Sequence, residues 1–167
     1  HALMGEAQLL AGDPSAALKE LEEALELTDL WEQVNYGAAE TSARNVMGEW
    51  QGLPGYCLLL PDPVVGSLNE LSLEARRPYL LDMAAIGDAL LATTDASRIN
   101  YEILGNLEPA LHAHVVPRYG WEHSDLRVKP AWFYDRSAGP RFDPATDASL
   151  MARLRLELER RGVAVPR

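Results

Sequence analysis

Two histidines, His112 and His114, sit two positions apart in Gly105–Tyr119, a stretch where residue character alternates. A strand sends successive side chains to opposite faces. Leu111, Ala113 and Val115 then share one face, and Ala110, His112, His114 and Val116 share the other. The first set reads as a core face. The second carries two imidazoles about one pleat repeat apart. They are two of the 4 histidines in the chain; His1 is terminal and His123 follows soon after. Neutral imidazole can be a nucleophile, a general acid or base, or a metal ligand. To attack phosphorus it must present a bare nitrogen, with the other nitrogen held by an acceptor that fixes the tautomer. A neighbouring imidazole can then hold a phosphate oxygen or reach the leaving group. A zinc pair needs a third ligand. Cys57, His123 and many carboxylates are available, but none stands at a spacing that marks a site. Two half-exposed strand histidines without chemistry fit the same spacing.

The elements that must position this pair can be read from the flanking pattern. The pair itself belongs to a predicted strand 110–116, after a strand 99–104 and a turn near Gly105-Asn106. Upstream, Val46 to Gln51 is predicted as a strand, turning at Gly52-Leu53-Pro54-Gly55 into a strand Tyr56 to Leu60. Trp50 on the first of these can stack on a base or fill a core. Pro61-Asp62-Pro63 ends the second. Ser72 is a helix N-cap, but Pro78 would then remove a hydrogen bond inside the helix. Either the regular helix starts near Arg77 or it kinks at Pro78. Tyr79, Met83, Ile86 and Leu90 follow the helical period and should pack on the sheet, and Thr93-Thr94-Asp95 closes the helix.

After Pro117, Arg118, Arg127, Lys129, Arg136 and Arg141 interleave with Trp121, Trp132, Phe133 and Tyr134. Arginine can grip phosphate and aromatic rings can stack on bases, so this tail can complete a pocket. The alternative is a solvent-facing wrap with Trp132 and Phe133 buried. Asp143-Pro144 or Asp147 opens a last helix with Leu150, Met151, Leu154 and Leu158 on its apolar face, ended by Gly162. Residues 1–30 read as two helices, the second opened by Asp13-Pro14. Residues 31–44 read as helix then linker. The expected partition is a helical segment 1–44, a sheet domain 45–142 and a C-terminal helix 143–167.

With 167 residues, the chain suits one domain with a short appendage. A hydrophobic content of 47% can supply a core, and a net charge of -10 argues against a general nucleic-acid or anionic-membrane surface. A local basic patch can still meet a small nucleotide. No apolar run approaches a membrane span, and no basic-then-apolar signal opens the chain. The single cysteine, Cys57, excludes an internal disulfide, which suits a reducing, cytoplasmic compartment. It lies in an apolar run and reads as buried filler.

Gly105-Asn106, then His112-Ala113-His114-Val115-Val116-Pro117-Arg118-Tyr119, resembles the histidine triad (HIT) superfamily of nucleotide hydrolases and transferases. Leu53-Pro54-Gly55-Tyr56-Cys57-Leu58-Leu59-Leu60-Pro61 is similar to the family's Pro-Gly-His-x-Leu-x-x-Pro strand. Asn100-Tyr101-Glu102-Ile103-Leu104 fits the strand before the motif. The likeness runs over roughly 45 to 135 and is closest to a bacterial branch. Aligning the family's Pro-Arg on Pro117-Arg118 places the nucleophile on His112 and the third histidine on His114. The first histidine falls on Ala110, a departure from the pattern. Gly5…Leu9…Gly12-Asp13…Ala17-Leu18…Ala24-Leu25 faintly resembles one tetratricopeptide repeat.

The resemblance implies an α+β fold, a mainly antiparallel sheet of about five strands with one long helix packed on it and terminal helices beside it. It implies a nucleoside phosphate hydrolase or nucleotidyl transferase in which His112 attacks the α-phosphorus and His114 contacts a phosphate or leaving oxygen. Asn106 and nearby backbone N–H groups would stabilise charge on the phosphate oxygens, and Asn100 would contact the leaving group. Glu49 is the nearest candidate for the ribose hydroxyls, or else a surface carboxylate. The mechanism needs no metal and no cofactor on the enzyme. The expected partner is a small-molecule nucleotide, with no nucleic acid and no membrane, and homodimers are common in the family. Two other readings stand: a non-catalytic nucleotide-binding relative, since Ala110 breaks the triad, and a protein-interaction module built on the N-terminal helices.

Overall fold

The computed structural model describes residues 32–35 and 42–163. Strands β1 (Glu32–Asn35), β2 (Ser42–Met47) and β3 (Cys57–Asp62) come first. Helix α1 (Leu73–Thr93) leads to β4 (Arg98–Glu102) and β5 (Ala113–Arg118). A short helix α2 (Ser124–Arg127), a 3-10 turn (Ala131–Phe133) and helix α3 (Pro144–Arg160) follow. The strands form one 5-stranded sheet in the order β1-β2-β3-β5-β4, with every neighbouring pair antiparallel. The architecture is the α+β one expected. The two helices and the tetratricopeptide-like pattern expected in residues 1–30 lie outside the described residues.

Alternation along the central strands sorts side chains into two layers. Cys57 and Leu59 of β3 and Ala113 and Val115 of β5 face one way, beneath Tyr79, Ile86 and Leu90 of α1 and Leu154 and Leu158 of α3. Val116 faces the other way, into a second layer with Trp50, Leu53, Tyr56, Tyr119 and Ala131. His114 shares the face of Val116 by the same period. Burial holds the Cys57 thiol protonated, with its pKa pushed up to about 12, as suits filler.

Helix α1 resolves the Pro78 ambiguity. It starts at Leu73, with the Ser72 hydroxyl accepting the Ala75 N–H at 3.2 Å, and Pro78 lies inside. The Arg76 guanidinium closes the turn before it by donating to the Asn69 and Leu71 carbonyls at 3.0 and 2.9 Å. Tyr79 then docks the helix by donating to the Leu59 carbonyl at 3.0 Å. Helix α3 opens at Asp143, whose carboxylate accepts from the Ala145 and Thr146 N–H groups, and Gly162 ends it at φ 79°.

Three boundaries move. The stretch 31–44, expected as helix then linker, contributes β1 and the start of β2 to the sheet. A strand of 4 residues is too short to show alternation against a polar background. The strand expected over Val46 to Gln51 ends at Met47. The strand expected from residue 110 begins only at Ala113. The Leu111 N–H is taken by the Val65 carbonyl at 2.7 Å, and β4 stops at Glu102, opposite His114. His112 therefore stands in the irregular approach to β5.

The second layer is closed by the segment after β5, which one ion pair organises. Arg118 and Glu122 meet at 2.7 Å with side chains 5% and 0% exposed. Arg118 also donates to the Lys129 and Leu126 carbonyls at 2.7 and 2.9 Å. Glu122 accepts the Tyr119 N–H at 2.6 Å and the Tyr134 hydroxyl at 2.5 Å. Arg118, one of the arginines weighed as a phosphate grip, is thus committed to the fold.

Glu122→Gln should lower the unfolding free energy by about 3–5 kcal/mol, because it leaves Arg118 buried without its counter-charge. The readout is the urea midpoint at neutral pH. Burial alone would raise the Glu122 carboxyl, yet the donors from Arg118, Tyr134 and the Tyr119 backbone carry it below the ordinary glutamate value. The contribution of the pair is therefore whole above that ordinary value and lost as pH falls through the lower folded one.

Candidate functional site

His112 is half-buried, and its Nδ1 lies 2.7 Å from the Ala110 carbonyl. A carbonyl oxygen only accepts, so in neutral imidazole the proton sits on Nδ1 and Nε2 keeps its lone pair. The group that sets this tautomer is backbone. It is present whatever side chain stands at position 110, so the departure at Ala110 leaves the lock in place.

His114 lies beside it. The two rings are 4.7 Å apart at 79°, edge to face. His114 is 7% exposed, and its Nδ1 meets the Tyr56 hydroxyl at 2.7 Å. The Trp132 ring stands 4.6 Å away at 84°. Burial first, then the neighbouring His112 ring and the Arg136 charge, depress the His114 pKa to about 3, so it is neutral at physiological pH.

The turn after β2 delivers Tyr56. The buried Gln51 amide donates to the Gly48 and Tyr56 carbonyls at 2.6 and 2.9 Å, and its oxygen accepts the Gly55 N–H at 2.9 Å. Gly55 turns the chain at φ 90°. Gly48 must lack a side chain, because a Cβ there would stand 2.4 Å from the Tyr56 ring. Sequence reasoning placed Tyr56 at the histidine position of a family strand and gave it no role.

The Arg136 guanidinium lies 5.8, 5.4 and 5.2 Å from the Trp50, Tyr56 and Trp132 rings, within cation–π range. The cavity between these residues, Val116 and Ala131 holds about 10 Å³, barely one water. The two imidazoles stand side by side where the chain enters β5, and His114 is roofed by the segment carrying Trp132 and Arg136. That segment departs from the expected wrap, since Trp132 is 37% and Phe133 61% exposed. Trp50 fills core and donates its N–H to the Ala138 carbonyl at 2.8 Å.

The other candidates are distributed unevenly. Asn100 pairs with Val116 across β4 and β5, which puts it on the histidine face. Asn106 is exposed in the β4–β5 loop. Glu49 is exposed and ion-paired with Arg141 at 2.6 Å. Glu102 was missed. It stands opposite His114, half-buried, and its Oε2 has no hydrogen-bond partner among the described residues. A period of two counted on from Asn100 would have found it. Among the described residues, no group of three or more His, Cys, Asp or Glu side chains is placed to hold a metal ion. No described helix is long and apolar enough to cross a membrane.

The His114 pKa sets an acid dependence. Unfolded, the ring takes a proton near its ordinary value of 6.5; folded, it resists down to about 3. The His114 contribution should be constant above the ordinary value and fall as pH drops from there toward the folded one, while buried Asp82, raised to about 7, acts with the opposite sign over an overlapping range. His114→Asn should flatten this slope, measured as urea midpoints between about pH 4 and 8. An unchanged slope would place the proton uptake elsewhere.

No protein-family model matches the chain, and no curated protein matches it. Solved structures do. A histidine triad protein from Marinobacter aquaeolei VT8 superposes with a TM-score of 0.64 at 20% identity, over 84% of this chain and 96% of that one. A histidine triad protein from Bradyrhizobium japonicum gives 0.62 at 19%, over 79% and 93%. A hypothetical histidine triad nucleotide-binding protein from Sulfolobus tokodaii strain7 gives 0.56 at 13%, over 81% and 89%. What is shared at such identities is the course of the chain, and in that course this protein has the histidine triad fold.

Proposed function

We propose that this chain is a nucleoside phosphate hydrolase or nucleotidyl transferase, acting on dinucleoside polyphosphates or nucleoside phosphoramidates through a nucleotidyl-histidine. The observation that carries the reading is the bond from His112 Nδ1 to the Ala110 carbonyl, which leaves Nε2 as a bare, oriented nucleophile on a half-exposed ring. The fold shared with a nucleotide-binding histidine triad protein supports the substrate class.

In the first half-reaction His112 Nε2 attacks the α-phosphorus in line. A bond from Nε2 to phosphorus forms as the bond from phosphorus to the leaving group breaks, a leaving phosphate oxygen departing as the anion and a leaving nitrogen taking a proton from solvent. The imidazole gains positive charge, which the Ala110 carbonyl dipole stabilises through Nδ1–H. His114 contacts a phosphate or leaving-group oxygen. Arg136, whose field already reaches His114, favours the anionic substrate, and Asn100 and Asn106 are assigned to the leaving group and the phosphate oxygens. In the second half-reaction water attacks the phosphorus and gives up a proton to solvent, the bond from phosphorus to His112 Nε2 breaks, and a nucleoside monophosphate leaves with His112 restored as neutral imidazole. The substrate reaches this face when the segment over His114 moves aside. A ribose contact by Glu49 requires its pair with Arg141 to open.

A non-catalytic nucleotide-binding relative is the second reading. The burial of His114 under Trp132 beside a cavity of about 10 Å³ favours it. One experiment separates the two. His112→Ala should cut turnover of adenosine phosphoramidate and diadenosine polyphosphates by at least about a thousandfold. Calorimetric binding of a nucleoside monophosphate should be largely preserved. Mass spectrometry after a rapid alkaline quench should find the nucleotidyl adduct on the wild-type chain and none on the variant. Turnover equal to wild type in the variant removes His112 from the chemistry; binding without turnover in both supports the second reading.

A further inference from the structure

We propose that Tyr56 is a positioning residue that holds His114 as the Nε2–H tautomer, so that the two neighbouring imidazoles carry opposite tautomers. One then offers a lone pair to phosphorus and the other a proton donor to the phosphoryl oxygens. The inference deepens the reading above and rests on it for the catalytic consequence, but the tautomers themselves are a property of the free protein.

The contact between the Tyr56 hydroxyl and His114 Nδ1, at 2.7 Å, can in principle run either way. Three surrounding groups decide it. The guanidinium of Arg136 sits 5.4 Å from the Tyr56 ring, and its charge and N–H groups pull the phenol pKa back against the rise caused by burial. A phenol is already far more acidic than a neutral imidazole N–H, and a guanidinium over its ring strengthens it as a donor, so the hydroxyl donates to His114 Nδ1. Glu102 is the carboxylate across the strand pair, and its Oε2 makes no hydrogen bond among the described residues, so it does not divert that proton. His114 itself is kept neutral chiefly by burial, with the Arg136 charge adding to it. A neutral ring that accepts at Nδ1 carries its one proton on Nε2. His112 is the mirror case, since it donates at Nδ1 to the Ala110 carbonyl and is bare at Nε2.

The difference matters because the rings are only 4.7 Å apart. Two lone pairs pointed at one phosphoryl group would repel its oxygens, and two N–H groups would provide no nucleophile. A hydroxyl at position 56, fixed by the Gly48 approach and the Gln51 bonds, supplies the asymmetry. Tyr56 touches no substrate in this scheme and acts through His114.

The test is long-range nitrogen–proton NMR on the full chain with labelled histidine. In the wild type, His114 should show a protonated Nε2 and a bare Nδ1, and His112 the reverse. In Tyr56→Phe, His114 should collapse toward a mixture of tautomers while His112 stays unchanged. The kcat for a phosphoramidate should fall about tenfold, one hydrogen bond's worth of rate, with KM little moved. A wild-type His114 protonated on Nδ1 would overturn the proposal without any variant. So would a single Nε2–H tautomer that persists in Tyr56→Phe. Both tautomer results as expected, in a chain that turns over no nucleotide, would uphold the role of Tyr56 and sink only the enzymatic reading.

Discussion

Strand β5 is buried along its whole length on both faces, and the molecule is built around covering it. On one face Ala113 and Val115 lie under α1 and α3. The other face cannot be a plain apolar core, because the same alternation delivers His114 to it and Arg118 is buried just beyond. Buried polar groups are costly unless partnered. His114 is partnered by the Tyr56 hydroxyl, and Arg118 by Glu122 and two carbonyls. Two otherwise unrelated features follow from this one requirement: the Gln51-stapled turn that presents Tyr56, and the wrap of the chain after β5.

That wrap places the aromatic and basic residues of the tail. Tyr134 reaches the Glu122 carboxylate, Trp132 lies edge-on to His114, and Arg136 sits among three rings. The segment roofing the histidines is tied at its base to a fully buried ion pair, while its tip carries exposed Phe133.

What the sequence made legible was whatever depends on local periodicity and capping. The α1 face of Tyr79, Ile86 and Leu90, the Asp143 cap and the Gly162 stop all follow from spacing and turn chemistry. Tertiary partners were not legible. β1 is an edge strand whose existence depends on β2, and nothing in Glu32–Asn35 announces it. The start of β5 at Ala113 is set by Val65, distant in sequence, which takes the Leu111 N–H. Arg118 looks in sequence like a phosphate grip, and only the return of Glu122 through the turn after β5 reveals it as structural. Of the site, the imidazole pair was readable and its surroundings were not. Neither the Ala110 carbonyl nor the Tyr56 hydroxyl bears on the histidines until the sheet brings them together.

The account centres on His112 Nε2 as the atom that meets phosphorus on this face of the sheet. The most direct measurement is a crystal structure with a nucleoside monophosphate or a non-hydrolysable phosphoramidate analogue bound. The account requires the α-phosphorus about 3–3.5 Å from His112 Nε2, in line with the leaving group, with Trp132 lifted from His114. A nucleotide bound elsewhere on the molecule, with Trp132 still closed over His114, would contradict it.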